Sequence, residues 1–316
     1  MLITVAIPCY KSSKTICCVV DEIRQEFKTH PEYSYQIVLV NDGSPDETFR
    51  VIREMCAADQ SVVGIDLSRN YTQANAKMAA LPYVKGDILV YMDDDGQHPA
   101  SGIFMLAEKI QEGYDLVYAK FTRKKVSGFK AVTSEWNSKI REFLGVKPKG
   151  IRTSPFMALN RLAIDKAKEY HSPSPSLGAY LLKVTTRIAN VELEQRARIT
   201  GKSGYTLKKL VDLAVQGYTN FTIVPLRLAS YTGLLTSAIG LLYGLFLLIR
   251  KIIHPSVPAG YTSIMAVLLI IGGMLMVMLG IIGEYVGKTY MLLSNTPQYT
   301  VREEINVSGN TENQDK

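Results

Sequence analysis

Charge is missing from two long stretches of this 316-residue chain. Ala229 to Ile249 gives 21 residues without Asp, Glu, Lys or Arg, and Tyr261 to Gly283 gives 23 more. As a helix rising ~1.5 Å per residue, each run is long enough to cross a hydrocarbon layer of about 30 Å. A pair of helices buried in a soluble core is the competing reading, but uncharged runs above about 18 residues favour membrane spans. Cysteine is scarce: Cys9, Cys17, Cys18 and Cys56 are the four. The adjacent pair cannot readily bridge and no C-x-x-C spacing occurs, so reduced cytosolic thiols are expected. The first residues lack a charged region followed by a cleavable apolar stretch, so no signal peptide is expected. No internal repeat is found. A net charge of +7 does not by itself mark a nucleic-acid binder. It suits a protein that lies against an anionic membrane and handles phosphates.

The two uncharged runs are separated by Arg250–Gly260, a short turn bearing Pro255 and Pro258. A helical hairpin follows, with both chain ends on one side. Lys208, Lys209 and Arg227 before the first run, with Lys288 and Arg302 after the second, fit a cytoplasmic location for those ends. Arg250 and Lys251 run against that rule. The expected organisation is a cytoplasmic domain over 1–204 and an amphipathic interfacial helix over 205–227. Two transmembrane helices (about 229–249 and 261–283) follow within 228–287, then a cytoplasmic tail over 288–316. Leu207, Leu210, Val211, Ala214, Tyr218 and Phe221 supply the helical spacing of the interfacial segment. Packing of that segment on the soluble domain is the alternative. Asn306–Lys316 is polar enough to be disordered. The spans carry Gly240-x-x-x-Gly244 and Gly283-x-x-x-Gly287, spacings that let helices approach closely within the hairpin or between copies in a homo-oligomer. Glu284 reads as an interfacial hydrogen-bonding residue.

Residues 1–120 alternate strand and helix patterns. Strands are predicted at Leu2–Pro8, Gln36–Val40, Val62–Leu67, Asp87–Met92 and Asp115–Ala119. Helices are predicted at Ser13–Phe27, Thr48–Ala58, Thr72–Leu81 and Ala100–Glu112. This order implies an α/β fold with a mostly parallel sheet covered by helices on both faces. Ligands of such sheets bind at the carboxyl ends of strands. Three of those ends are polar: Pro8-Cys9-Tyr10-Lys11, Asn41-Asp42-Gly43-Ser44 and Asp93-Asp94-Asp95. Three adjacent acids repel one another unless a positive charge sits among them. Side chains two apart on an extended segment point the same way, so Asp93 and Asp95 face one ligand while Asp94 points elsewhere. With the amide oxygen of Gln97 they offer hard oxygen ligands for Mg2+ or Mn2+. His98 is a softer donor, and a positional role is favoured for it. Between 120 and 152, ten basic residues face two acidic ones. They form either a solvated face or a groove for a phosphate-bearing ligand.

Val40–Thr48 resembles the NDGSxDxT segment of inverting family 2 glycosyltransferases. Leu67-Ser68-Arg69-Asn70 and Met92–Pro99 resemble the LSRN and DxDxQxP segments of the same family. Arg198–Tyr205 is similar to the RxxGxSxY element of its polyprenyl-phosphate branch. Pro225-Leu226-Arg227, Gly283–Gly287 and Pro297-Gln298-Tyr299 match that branch's membrane segments. This likeness, to dolichyl-phosphate mannose synthases and undecaprenyl-phosphate sugar transferases, runs from about residue 2 to 303.

The resemblance implies a GT-A (Rossmann-like) catalytic domain and an enzyme of a cytoplasmic (inner) membrane. Such an enzyme moves one sugar from a UDP- or GDP-sugar to a polyprenyl phosphate, for cell-envelope glycan or lipid modification. It implies that Pro8, Tyr10 and Asp42 hold base and ribose. Asp93, Asp95 and Gln97 would hold Mg2+ or Mn2+ on the diphosphate. Lys130 and Ser134 would lie near the acceptor phosphate, and Arg198 and Lys202 would meet phosphate charge. Lys11-Ser12 stands where many relatives have Asn-Glu, which leaves uridine and guanosine both open. Arg152–Phe156 lacks the Asp that many relatives carry, so no general base is assigned. The single tryptophan, Trp136, lies outside any Q-x-x-R-W element, which implies one sugar per turnover rather than processive synthesis. The alternatives are a transferase acting on a diacylglycerol-type lipid and a non-catalytic nucleotide-sugar-binding subunit of a glycan synthase.

Overall fold

The structure is a computed structural model that describes residues 1–122, 148, 150–194, 196, 224–253, 260–294 and 297–307. The chain divides into two compact units, Met1–Gly204 with Pro297–Lys316, and Tyr205–Thr296. Of the expected interfacial helix over 205–227, residues 205–223 lie outside the described residues, as do most of the basic run and Lys130, Ser134, Arg198 and Lys202, while residues 224–227 form the start of the first long helix of the second unit.

The first unit is built on an eight-stranded sheet. Its strands are β1 (Leu2–Cys9), β2 (Ser34–Asn41), β3 (Val62–Leu67), β4 (Ile88–Tyr91), β5 (Leu116–Thr122), β6 (Met157–Leu159), β7 (Ile188–Glu194) and β8 (Val301–Ile305). Their order is β7-β5-β6-β4-β1-β2-β3-β8. The centre, β4-β1-β2-β3, is parallel throughout. β6 runs antiparallel to both β4 and β5, and β8 runs antiparallel to β3 at one edge.

Alternation explains why both faces are covered. Ile3, Val5 and Ile7 of β1, Ile37 and Leu39 of β2, and Val90 of β4 join one buried cluster. Ala6, Val38, Val40, Leu89 and Tyr91 join the other. Helices α1 (Ile16–Thr29), α2 (Thr48–Ala58) and α4 (Gly102–Gln111) close the first cluster. Helices α3 (Gln73–Ala80), α5 (Arg161–Lys168) and α6 (Leu177–Val184) close the second. The period of two in each strand thus fixes which loop residue emerges on which face of the rim.

The segment after the second apolar run, read as a tail, contributes β8 to this sheet. The Asn306 amide caps that edge by donating to the carbonyls of Cys56 (2.6 Å), Val62 (2.9 Å) and Asp59 (3.3 Å). Its φ of 60° is left-handed backbone that asparagine tolerates better than most residues.

In the second unit, α7 (Val224–Ile253) and α8 (Tyr261–Leu293) are continuous helices that contain the two uncharged runs. Their apolar windows, Ala229–Phe246 and Ile270–Leu293, are 6% and 0% buried. A buried soluble core is therefore excluded for them, and membrane association is the reading that remains. The helices meet where Gly233 faces Met278 and the Thr236 hydroxyl donates to the Met274 sulfur at 3.3 Å. Among the described residues nothing lies within 4 Å of a Cβ built on Gly240, Gly244, Gly283 or Gly287. Among the described residues, those glycines thus make no contact across the hairpin. Glu284 pairs with Lys288 one turn on at 3.2 Å.

Candidate active site

The strand order reverses between β1 and β4, and their carboxyl ends part there. Met92 N–H donates to Ala6 O at 3.1 Å, so even-numbered residues of β1 turn their backbone groups toward β4. The next such residue is Pro8, which has no N–H to give. The ladder stops and a crevice opens, which is where doubly wound sheets bind ligands.

Asp94 ties the two walls together. One of its carboxylate oxygens accepts from Tyr10 N–H at 3.2 Å and from the Ser12 hydroxyl. Burial raises its pKa, and those donors work in the opposite direction. Asp94 is thus a structural acid that points away from Asp93, as the period of two requires. Tyr10 stands exposed at the mouth. Beside it Lys11 adopts φ 58°, with its N–H on Ser44 Oγ at 3.1 Å.

The second loop is pressed against the third. Gly43 has φ 58°, and a Cβ there would lie 2.3 Å from the Arg69 carbonyl carbon. Only glycine fits, which accounts for the G of the NDGS segment. Asn41 donates to Asp66 at 2.6 Å, and Arg302 of the returning strand lies 3.6 Å from the same carboxylate. Asp42 is buried, and its Oδ1 accepts from Tyr71 N–H at 2.6 Å. Burial raises its pKa, partly offset by the Tyr71 and Thr72 amides. The carboxyl expected to hold base or ribose is therefore turned onto the loop that follows β3.

Asp93 emerges on the α3 side of the sheet, in line with Tyr91. Its Oδ1 accepts from Gln73 Nε2 at 2.7 Å, and its backbone N–H donates to His98 Nδ1 at 3.1 Å. That bond places the neutral imidazole's proton on Nε2, 3.7 Å from Asp93 Oδ2. His98 is stacked against Phe156 (centroids 4.8 Å) and Phe121 (5.3 Å). Burial lowers its pKa, which keeps the ring neutral and able to accept. Through that bond His98 holds the backbone of Asp93. Asp95 Oδ1 accepts from Gln97 N–H at 3.1 Å, which closes the loop over Gly96. Gln97 O accepts from Arg196 N–H at 3.2 Å, so the chain two residues before Arg198 runs beside this loop.

Among the described residues no group of three or more His, Cys, Asp or Glu side chains is arranged to hold a metal ion. Asp93 and Asp95 are hard oxygen donors on one short loop. Such a sparse set fits an ion that keeps most of its coordination for phosphate oxygens and water, as Mg2+ does. Gln73 and Lys77 of α3 escaped the reading of the sequence. The available signal was a buried-type helix, QANAKMAA, whose long polar residues recur only at i and i+4.

The site's loops carry the motifs of a sugar-transferring enzyme, and comparison with known proteins agrees. The family described as Glycosyl transferase family 2 matches residues 4–167, and the GtrB C-terminal hairpin matches residues 224–289. A prophage bactoprenol glucosyl transferase homolog from Escherichia coli is 30% identical over 303 residues, covering 96% of this chain and 99% of that one. An uncharacterized glycosyltransferase of Bacillus subtilis, YkcC, is 30% identical over 305 residues, covering 96% and 94%. Among solved structures, glucosyl-3-phosphoglycerate synthase of Mycobacterium tuberculosis, in complex with Mn2+, UDP and phosphoglyceric acid, superposes with a TM-score of 0.50. It is 21% identical and covers 69% of this chain and 76% of that one, a likeness of fold. The chain belongs to glycosyl transferase family 2. It is a glycosyltransferase with a GT-A-like catalytic domain and a C-terminal helical hairpin.

Proposed function

We propose that this enzyme transfers a single sugar from a nucleotide-sugar to a polyprenyl phosphate at a membrane surface, with inversion at the anomeric carbon. The observation that carries the reading is the pairing, along one chain, of the family 2 domain with the GtrB hairpin. Relatives named bactoprenol glucosyl transferases match over nearly their whole length.

In this reading an oxygen of the acceptor phosphate attacks the anomeric carbon. The bond from that carbon to the nucleoside diphosphate breaks, and the diphosphate leaves with the electron pair. The acceptor is a phosphate monoester with a second pKa near ~6, so it arrives largely ionised and needs little from a general base. That suits a segment Arg152–Phe156 without a carboxylate. Asp93 and Asp95 hold Mg2+ or Mn2+, which when bound offsets the charge growing on the departing diphosphate. Gln73 and His98 fix the Asp93 side chain and backbone before substrate arrives. Tyr10 and Pro8 form the wall for the base, with Asp42 behind them. Gln97, Lys130, Ser134, Arg198 and Lys202 are assigned to metal and phosphate on the resemblance of their segments.

The catalytic unit resumes at Pro297 after the hairpin. Two spans with both outer ends in one unit support a multi-pass protein whose catalytic domain stays on the cytoplasmic side. The purified full chain, given undecaprenyl phosphate, Mn2+ and a panel of UDP- and GDP-sugars, should form one glycosylated lipid phosphate, read by mass spectrometry. Product with diacylglycerol instead would move the acceptor class. Donor binding without turnover would make the chain a non-catalytic subunit.

A further inference from the structure

Among the described residues, Lys77 is a buried lysine whose ammonium has one hydrogen-bond acceptor. It lies on α3 with only 9% of its surface exposed. Its ammonium donates to Pro155 O at 3.1 Å and lies 5.4 Å from the centre of the Tyr91 ring. Tyr91 in turn donates its hydroxyl to the Lys77 carbonyl at 2.8 Å. Burying an ammonium costs several kcal/mol unless opposite charge and hydrogen bonds offset it. One carbonyl and one aromatic face do not complete three N–H donors.

Two matched rungs show where the compensating charge is. Gln73 and Lys77 are one turn apart and share a face of α3. Tyr91 and Asp93 are two apart and share a face of the β4 end. Gln73 meets Asp93, and Lys77 meets Tyr91. The ammonium is therefore fixed one rung below the Asp93 carboxylate, on the side away from solvent. Burial lowers the lysine's pKa and the Asp93 charge acts against that fall. Through Pro155 the same ammonium anchors the residue preceding Phe156, the ring stacked on His98. Lys77 thus bonds the chain just before the ring that backs His98, and lies on the same helix face as Gln73, the side chain that holds Asp93.

We propose that Lys77 is a built-in counter-charge to the Asp93–Asp95 pair, a positioning residue that makes the bare site a poor divalent-cation site and lets metal bind with the diphosphate. A fixed positive charge behind the carboxylates stabilises them when no cation is present and repels a free cation. A nucleoside diphosphate brings negative charge of its own, which outweighs that repulsion. The inference rests on the metal assignment made above.

The experiment measures Mn2+ binding to the full chain in detergent by electron paramagnetic resonance, with and without UDP or GDP. In the wild type, saturating nucleotide should tighten Mn2+ at least tenfold. Lys77→Met should bind Mn2+ without nucleotide about five- to tenfold more tightly than wild type, and the effect of nucleotide should shrink accordingly. Lys77→Gln, which keeps a donor for Pro155 and loses the charge, should behave like Lys77→Met. Lys77→Arg should restore the wild-type ratio, which a merely structural lysine would not require. Neutral variants with an unchanged ratio overturn the proposal. So does a wild type that binds Mn2+ equally well with and without nucleotide. If wild type shows no saturable Mn2+ binding with either nucleotide, the metal assignment itself fails.

Discussion

In the sheet, Leu39 has no exposed surface, whereas in the hairpin Leu234 leaves 70% of its surface uncovered. The same contrast holds between Ile7 at 0% and Met276 at 73%. The residue types are alike and their surroundings are opposite. The catalytic unit buries its apolar side chains against one another, so its solvent is water. The hairpin turns its apolar side chains outward, as helices that associate with a membrane do. Apolar content therefore does not separate the two regions, but the length of each uncharged run does. Among the described residues no strand exceeds eight residues, whereas the hairpin carries runs of 21 and 23.

The largest expected effect falls on the site that only the sheet supplies. Asp93→Ala or Asp95→Ala should lower sugar transfer by about a thousandfold or more, given the weight of electrostatic stabilisation in such steps. The membrane fraction should still contain the protein, since the hairpin is untouched. Near wild-type turnover in either purified variant would remove that residue from the metal. Next come the two leucines. Leu39→Ala should cost the catalytic unit about 2–5 kcal/mol in a denaturation experiment. Leu234→Ala should leave that transition unmoved, and Leu234→Arg should instead weaken membrane association, by up to about 3 kcal/mol. A shared response of both leucines in the soluble transition would erase the contrast.

Asp94→Asn sharpens the comparison within the rim. It retains one acceptor for Tyr10 and Ser12, so it should raise the donor KM with a loss of activity of roughly tenfold or less, far milder than at Asp93. Equal losses at the two positions would mean that Asp94 also meets the ligand. The smallest effect is expected at the exposed pair of Arg53 with Glu303, 2.8 Å apart on the outer edge. Glu303→Ala should change stability by about 0–1 kcal/mol.

The parallel centre was legible because each of its strands ends in a turn or cap signal and each helix carries an apolar stripe. The predicted boundaries of β1 to β4 and α1 to α4 fall within a few residues of those found. β6 was not legible, because Met157-Ala158-Leu159 is too short to display a period. β8 was missed for a different reason. Val301-Arg302-Glu303-Glu304-Ile305 carries three charges in five residues and reads as a solvated tail. At the edge of a sheet those charges face outward and discourage pairing with other chains. In the site, the turn of Asp94 away from Asp93 followed from alternation, and the clustering of polar strand ends pointed to the crevice. Lys77 did not follow from anything local. A lysine among alanines reports helix propensity, and its burial is set by β4 and Pro155, which are distant in sequence. The inward engagement of Asp42 with Tyr71 was hidden for the same reason.

The strand that closes the sheet beside β3 follows both long helices in the chain, so β3 has no outer partner until the whole hairpin has been synthesised. A chain cut before Pro297 would keep β3 as an open edge, with a row of unpaired backbone groups apt to pair with its own copies.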